Sequence, residues 1–407
     1  MRRIGTLSLL LASACALGYS NSAFAQAANQ PSDEEAAESG TIFVTAQRRS
    51  EQVQDVPQSV TVIDAGQLER QQVNSVRDLA RVSPALEIIQ APGQSIGGGG
   101  QIRGLGTQTF GAGATGAVGI VVDGVSQGNL NVSDLFDLER IEVLKGPQGT
   151  LFGLTASAGV INITTRAPSF TEFSGRVRTE LTDAGTAGSE GFGQQVVQAS
   201  INVPLAGNLA MRVAGSVNRR QGPGRNALDG SLDYHRSASV RGRLFYEPTD
   251  NLTIDFIADY GTNRENFADF FTVYRATPAL AAQLADCRTA PGAPATPVVA
   301  SEDNVDYCSA LEGLSGGKNY GASLAVNYDL GGATLTSISA LRRTKGLPLT
   351  RDTVYRLENA YFGRPPSSIG TTGAPVTLPT KLFTQEFRID SAGGGRFGYT
   401  AGVYFSD

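Results

Sequence analysis

The chain has 407 residues, 41% hydrophobic and 17% charged, with a formal net charge of −5 and a pI near 5.2. That acidic balance argues against a nucleic-acid partner, which asks for a basic face. Past the N-terminus no apolar run reaches the roughly 18 residues of a spanning helix, so any membrane crossing must use strands.

Residues 1–25 read as a signal peptide. Arg2 and Arg3 give a positive start, Leu7 to Leu17 an apolar core, and Ala23-Phe24-Ala25 a cleavage site that leaves Gln26 first. Cys15 falls within that apolar core. A lipidation site would want a larger aliphatic three residues earlier, where Ala12 stands. Residues 26–49 form a flexible lead. Its first part is small, polar and acidic, with Asp33, Glu34, Glu35 and Glu38, and cannot bury a core. Thr41-Ile42-Phe43-Val44-Thr45-Ala46 is extended in character, an isolated edge that invites a partner sheet.

Residues 50–168 read as a compact mixed α/β domain. Leu68, Val73, Val76, Leu79 and Ala80 give Gln67 to Arg81 helical spacing, with Asp64 as N-cap and Pro84 past the end. Short strands are expected over 85–89, 119–122 and 159–163, with Asp123-Gly124 as a tight hairpin turn. The stretches 97–100 and 104–116 are too rich in glycine for regular structure.

From 169 to 407 the pattern changes to long alternating strands: 173–181, 195–203, 208–219, 235–246, 251–260, 320–330, 333–344, 382–390 and 397–405. In 251–260, Leu252, Ile254, Phe256, Ala258 and Tyr260 share one face and Thr253, Asp255, Ile257 and Asp259 the other. A β-sandwich also alternates, but here short connections (205–207, 248–250, 331–332, 392–395) take turns with long ones (220–234, 261–318, 345–380). Meandering strands with brief turns at one end and large loops at the other indicate a transmembrane barrel. Arg241, Arg243, Asp255 and Asp259 on the inner face suit a wet or filled lumen and would be costly in a dry core. About nine strands is an odd count, whereas bacterial single-chain barrels are even. The sequence is therefore expected to carry only part of a barrel, as a truncated product or a piece of a longer chain.

Cys287 and Cys308 remain after export and lie in one polar stretch, so in an oxidising compartment they read as a disulfide, with two free thiols the alternative. A single histidine, His235, leaves no metal-ligand cluster and no Ser/His/Asp or Cys/His set. It is read as a surface residue. The glycines of 97–106 lack the strand and helix that a phosphate loop needs. Neither catalytic residues, a metal nor a cofactor is expected.

Several phrases, in order, resemble the TonB-dependent outer-membrane receptors. Residues 41–46 look like the TonB box, and Asp55-Val56-Pro57-Gln58-Ser59-Val60 like the opening of the plug domain. Gln101-Ile102-Arg103-Gly104, Val121-Val122-Asp123-Gly124-Val125 and the run from Ile141 to Gly153 resemble the plug core. Gly159 to Thr164 resembles the last plug strand, and Gln385-Glu386-Phe387-Arg388 a recurrent barrel phrase. One departure is Leu154-Thr155, where the family often has arginine and asparagine.

The resemblance implies a plug inside an antiparallel transmembrane barrel of about 22 strands when complete. It implies active import of a scarce solute, ferric siderophore above glycan or cobalamin, across the Gram-negative outer membrane. TonB, driven by ExbB and ExbD, would pair with the box from the periplasm. The alternative is a non-transporting ligand-binding or adhesin-like surface protein, which has no use for the box. A processing scar is the competing reading of 41–46. Arg103, Gly104, Asp123, Gly124, Glu142, Lys145, Gly146 and Gly149 are candidates for plug core and plug–barrel contact, against ordinary solvated charge. Thr107, Gln108, Thr109, Phe110, Gln127 and Asn129 are candidate ligand residues, against plain flexible turns.

Overall fold

The computed structural model describes residues 43–45, 48, 51–89, 99–107, 116–128, 134–152, 156–183, 192–266, 273–287, 294–308, 314–346, 380–391 and 398–407. Two short strands open it, β1 (Phe43–Val44) and β2 (Glu51–Gln52), paired antiparallel. A five-stranded sheet follows from β3 (Val60–Asp64), β7 (Val118–Val122), β8 (Val125–Ser126), β9 (Leu138–Lys145) and β10 (Gly159–Thr165). Its order is β3-β9-β10-β7-β8, with only β10 and β7 parallel. Strands β4 (Leu86–Ile89), β5 (Gly99–Ile102) and β6 (Leu105–Thr107) make a small separate sheet.

The plug sheet is covered on both faces, which is why its central strands read as nearly continuous apolar runs. On one side Ile141, Val143, Ile161 and Ile163 pack with Leu68, Val76 and Leu79 of the helical segment. On the other, Val121, Leu144 and Val160 pack with Val44, Val56 and Phe152. Phe152 ends the short helix Gly149–Phe152. Asp123-Gly124 does form the β7–β8 hairpin turn, at φ 46 and 80. Positive φ at both central residues is what a type I′ turn demands, hence Asp-Gly.

The helix expected over 67–81 is broken in two. The first piece, α1 (Ala65–Arg70), is capped by Asp64, whose side chain accepts from the Gln67 N–H at 2.8 Å. Gln72 then turns to φ 52, and Ser75 and Asp78 form a capping box that restarts the chain as a 3-10 turn and a short helix ending at Val82. Apolar spacing held the right phase across 67–81, but the capping chemistry of Ser75 and Asp78 overrode continuity.

The second sheet holds nine long strands in chain order, all antiparallel: β11 (Ser174–Asp183), β12 (Phe192–Ala206), β13 (Leu209–Asn226), β14 (Leu232–Thr249), β15 (Leu252–Asn266), β17 (Leu314–Asp329), β18 (Ala333–Gly346), β19 (Thr380–Ser391) and β20 (Thr400–Ser406). A two-residue strand, β16 (Asp306–Tyr307), sits off this path against the end of β13. Among the described residues β11 and β20 are free edges, so the barrel is not closed. The long connection expected over 220–234 is mostly strand: β13 and β14 run to Asn226 and from Leu232, and a register shift between Gln221 and Arg225 absorbs Gly222, Pro223 and Gly224. A bulge tolerates the Gly and Pro that discouraged a strand assignment.

The outer face of this sheet is apolar. Val217, Val240, Phe256, Leu324, Leu341, Phe387 and Val403 are all exposed. Tyr260 and Tyr320 are directly paired, their ring centroids 6.3 Å apart, at the end where the long connections lie. Tyr328 lies eight positions further along β17. That spacing is about 27 Å along a strand, or about 20 Å of depth at a tilt near 40°, close to the apolar band of an outer-membrane barrel.

Candidate functional site

The described part of the segment read as a coupling box, Phe43 to Thr45, is docked on the plug. Val44 pairs with Glu51 and is fully buried against Val56, Leu144, Phe152 and Val160. Burial of a valine contributes about 1.5–3 kcal/mol relative to exposure. Next to it, the Thr45 N–H donates to Glu142 Oε1 at 2.9 Å and its hydroxyl lies 3.1 Å from both carboxylate oxygens. Asn162 Nδ2 donates to Thr45 Oγ1 at 3.0 Å and to Glu142 Oε2 at 3.1 Å, and Arg140 Nε to Glu142 Oε1 at 2.9 Å. Glu142 has no exposed surface. A buried carboxylate is tolerated only when its lone pairs are filled, and Thr45 fills part of them. Thr41, Ile42 and Ala46 lie outside the described residues.

Three residues on, Arg48 takes φ 64 and reaches three parts of the molecule. Its Nη1 donates to the Gly124 carbonyl at 3.1 Å, its Nε to the Leu151 carbonyl at 3.2 Å, and its Nη2 to Glu386 of β19 at 3.0 Å. The guanidinium also lies 4.5 Å from the Phe152 ring centroid. Burial lowers the pKa of this group, and the charge of Glu386 opposes that shift. Arg388 pairs in turn with Glu386 and Asp390. Arg48 was not singled out by sequence reasoning, which stopped at the box; nothing in the run Gln47-Arg48-Arg49 marks one arginine of the pair as a contact.

The plug meets the barrel wall through a second polar set, centred on residues 134–138. Asp137 is held by Arg212 of β13, Nε at 2.7 Å. Asp134 accepts from Ser237 at 2.6 Å and Ser239 at 2.5 Å, both on β14. Arg241 stacks on Phe136 with the ring centroid at 4.6 Å, and Arg243 pairs with Asp255 at 2.7 Å while donating to the Thr165 carbonyl at 3.0 Å. Asp123 accepts from the Thr165 N–H and hydroxyl at 2.9 and 2.7 Å and lies 3.9 Å from Arg243. Further along, Glu69 and Arg176 form a two-pronged pair at 2.7 Å.

Asp123 and Gly124 therefore lie at the plug–wall junction. The expectation that Glu142 meets the barrel gives way to a contact inside the plug, because its strand position faces β1 rather than the wall. Arg103 is exposed on the β5–β6 turn at φ 57, beside Gly104 at φ 75. Lys145 and Gly146 end β9, with the Lys145 N–H on the Ser59 carbonyl, and Gly149 begins the short helix; these serve the plug itself. The signal for the wall contacts was the inward parity of Arg241, Arg243 and Asp255. Their plug partners gave none.

Of the candidate ligand residues, Thr107 belongs to β6, while Gln108, Thr109, Phe110 and Asn129 lie outside the described residues. Gln127 is not an exposed tip: it is 1% accessible and lines a polar cavity of about 80 Å³ with Asp134, Arg241, Asp259 and Arg342. Cys287 and Cys308 are bonded, with Cα atoms 5.8 Å apart. They close the β15–β17 connection near the helix Pro278–Leu284, and Asp306 of the same connection pairs with Arg225 of β13 at 2.7 Å.

A mixed plug sheet wired by ion pairs to the polar inner face of an outward-apolar antiparallel sheet defines a plug-and-barrel architecture. Residues 52–160 match the TonB-dependent Receptor Plug Domain family, so the chain carries a plug domain of that family. It is 30% identical over 236 residues to the iron-regulated outer membrane virulence protein of Vibrio cholerae, a match covering 54% of this chain and 33% of that protein. It is 33% identical over 138 residues to the vitamin B12 transporter BtuB of Vibrio vulnificus, covering 32% of this chain and 22% of that one. The crystal structure of the ferric yersiniabactin uptake receptor FyuA from Yersinia pestis superposes with a TM-score of 0.62 at 21% identity, covering 86% of this chain and 48% of that chain. The chain thus spans about a third of the length of the Vibrio cholerae protein.

Proposed function

We propose that this protein takes part in TonB-dependent import of a scarce solute across the outer membrane, and that residues 41–46 are the handle on which TonB pulls. The observation that carries the reading is the docking of Val44 and Thr45. An extended segment already paired edge to edge with β2 is competent to exchange that pairing for a strand of a partner. Its hold is small, two or three buried groups at about 1–3 kcal/mol each. Its removal would leave Glu142 with fewer donors inside the plug. Pulling on the box therefore strains the plug core first and Arg48, its link to β19, next. Work is needed because the outer membrane holds no ATP and no maintained potential.

A ferric siderophore is the proposed cargo. The names of the Vibrio cholerae and Yersinia pestis proteins support iron, and the vitamin B12 transporter keeps cobalamin as the second choice. The test is Val44→Pro, which removes a ladder donor. Uptake of labelled ferric siderophore should fall to background while binding to intact cells is kept. Transport at the wild-type rate in that variant refutes the handle.

A further inference from the structure

The cavity between Gln127 and the wall holds more bonding capacity than its own residues use. Arg241, Asp259, Gly321 and Arg342 are register neighbours on β14, β15, β17 and β18, so they form one inward row. Gly321 shapes that row. A Cβ there would come within 2.7 Å of the Arg342 Cδ and 3.0 Å of its Nη1, so a bare position lets Arg342 lie across β17 to reach Asp259. That pose spends Nη1 on Asp259 and leaves the Arg342 Nε buried, without a hydrogen-bond partner among the described residues. Arg241 pairs with none of the described carboxylates: it donates to the Phe136 carbonyl at a long 3.4 Å and stacks on that ring. On the plug side the Gln127 amide is fixed in orientation, because its Nε2 donates to the Val125 carbonyl at 3.0 Å. Its Oε1 is buried and accepts from none of the described residues. Asp134 adds a second acceptor to the cavity lining, held by the hydroxyls of Ser237 and Ser239 rather than by a cation.

Donors thus line the wall side of the cavity and acceptors the plug side, and buried polar groups are costly to leave unmet. One water takes about 10–15 Å³ of such space, so a cavity of about 80 Å³ admits a group of about five non-hydrogen atoms. Water meets donors and acceptors alike but brings no charge to set against Arg241. We propose that the cavity binds a small hydrogen-bearing oxyanion of the size and chemistry of inorganic hydrogen phosphate. Its bare oxygens take the Arg241 guanidinium and the Arg342 Nε, a charge-assisted pairing, and its O–H donates to Gln127 Oε1. The ion so bound ties the plug to two wall strands at once. The site needs neither TonB nor cargo, so it stands apart from the import reading. Sulfate has the same tetrahedral shape but no O–H at neutral pH, and would turn bare oxygens toward Gln127 and Asp134.

The test uses the full chain in detergent at pH 7, titrated in a calorimeter with inorganic phosphate and, separately, with sulfate at matched ionic strength. Phosphate should bind saturably and about tenfold or more tightly than sulfate, which strands the acceptors. Arg241→Gln should weaken phosphate by about tenfold. Gln127→Met keeps the volume and removes the acceptor, and should erase most of the preference for phosphate over sulfate. Absence of saturable phosphate binding by wild type overturns the proposal, because water then suffices to fill the cavity. Equal affinities for the two anions overturn it too, since the arginine charge alone would then be the attraction. So does a Gln127→Met variant that keeps both its β-sheet circular dichroism and the full preference for phosphate.

Discussion

The plug sheet and the long-stranded sheet bury opposite chemistry. In the plug, Ile141, Val143, Leu144, Ile161 and Ile163 are sealed inside, and the one fully buried carboxylate, Glu142, is enclosed by donors. In the outer sheet the apolar residues Leu324, Phe387 and Val403 point away from the molecule, and paired charges such as Arg243 with Asp255 point in. The same alternation of residues on a strand thus has two readings, set by which solvent lies outside. Where the two sheets meet, polar faces polar: Asp137 on Arg212, Asp134 on two serines, Arg48 on Glu386. An interface joined mostly by directional polar contacts, with a small apolar patch where Val125 packs on Ile338 and Ala340, can be parted and remade in the presence of water, which suits a plug that must yield.

Two substitutions probe that inversion, and the larger effect belongs to the plug. Glu142→Ala leaves Asn162 buried beside an empty space and strips the half-buried Arg140 of its inner partner, and breaking such a network around a buried charge costs about 3–5 kcal/mol. The Thr45 amide loses its acceptor as well, so hydrogen exchange at Thr45 should quicken along with the loss of thermal stability. Glu142→Gln, which keeps an acceptor, should recover part of both. Wild-type protection of Thr45 in the alanine variant would mean that the box is held by Val44 alone. In the outer sheet, Leu324→Arg places a charge at mid-depth on the apolar face and should cost about 2–4 kcal/mol in urea titrations from vesicles. Ser323→Asp, one residue away on the inner face and lining the cavity with Arg342, should cost under about 1 kcal/mol. Equal costs at the two neighbours would remove the inside-outside assignment of the sheet.

Period-two patterning made all nine long strands legible, since each places one face in lipid and one in a polar interior. Turn chemistry made Asp123-Gly124 legible, and the cap at Asp64 was readable for the same local reason. The break at Gln72 was missed because apolar spacing carries no record of a capping box that restarts the chain in the same phase. The wall contacts were half legible. Inward polar residues on β13 and β14 announce that something polar faces them, but nothing local marks Asp137 as the partner of Arg212, or Asp134 as that of Ser237 and Ser239, across some 75 to 105 positions of sequence. Arg48 was invisible because its three contacts come from residues 76, 103 and 338 positions away.

The smallest predicted effect separates two carboxylates that both tie plug to wall. Burial raises the pKa of Asp134, with the hydroxyls of Ser237 and Ser239 and the charge of His235 opposing. Arg176 lowers that of Glu69 by hydrogen bonding, against burial, with the charges of Arg176, Arg178 and Arg166 adding to the shift. Between the ordinary aspartate value and its raised folded value, the folded protein holds a proton on Asp134 that the unfolded chain lacks. Stability from that site is therefore complete below the ordinary value and is lost as pH rises through the raised one. Glu69 behaves in the opposite sense: its contribution is present above the ordinary glutamate value and is lost as pH falls through the lowered one. At pH 7 the Asp134→Asn variant should equal or exceed wild type and the gap should close on acidification. The Glu69→Gln variant should fall below wild type at pH 7, by under about 1 kcal/mol for a pair open to solvent, and converge with it in acid. Urea midpoints of the three proteins between pH 4 and 7 decide the matter. If both differences ran the same way with pH, the two anchors would share one electrostatic environment, and the serine-bound and arginine-bound contacts would be interchangeable.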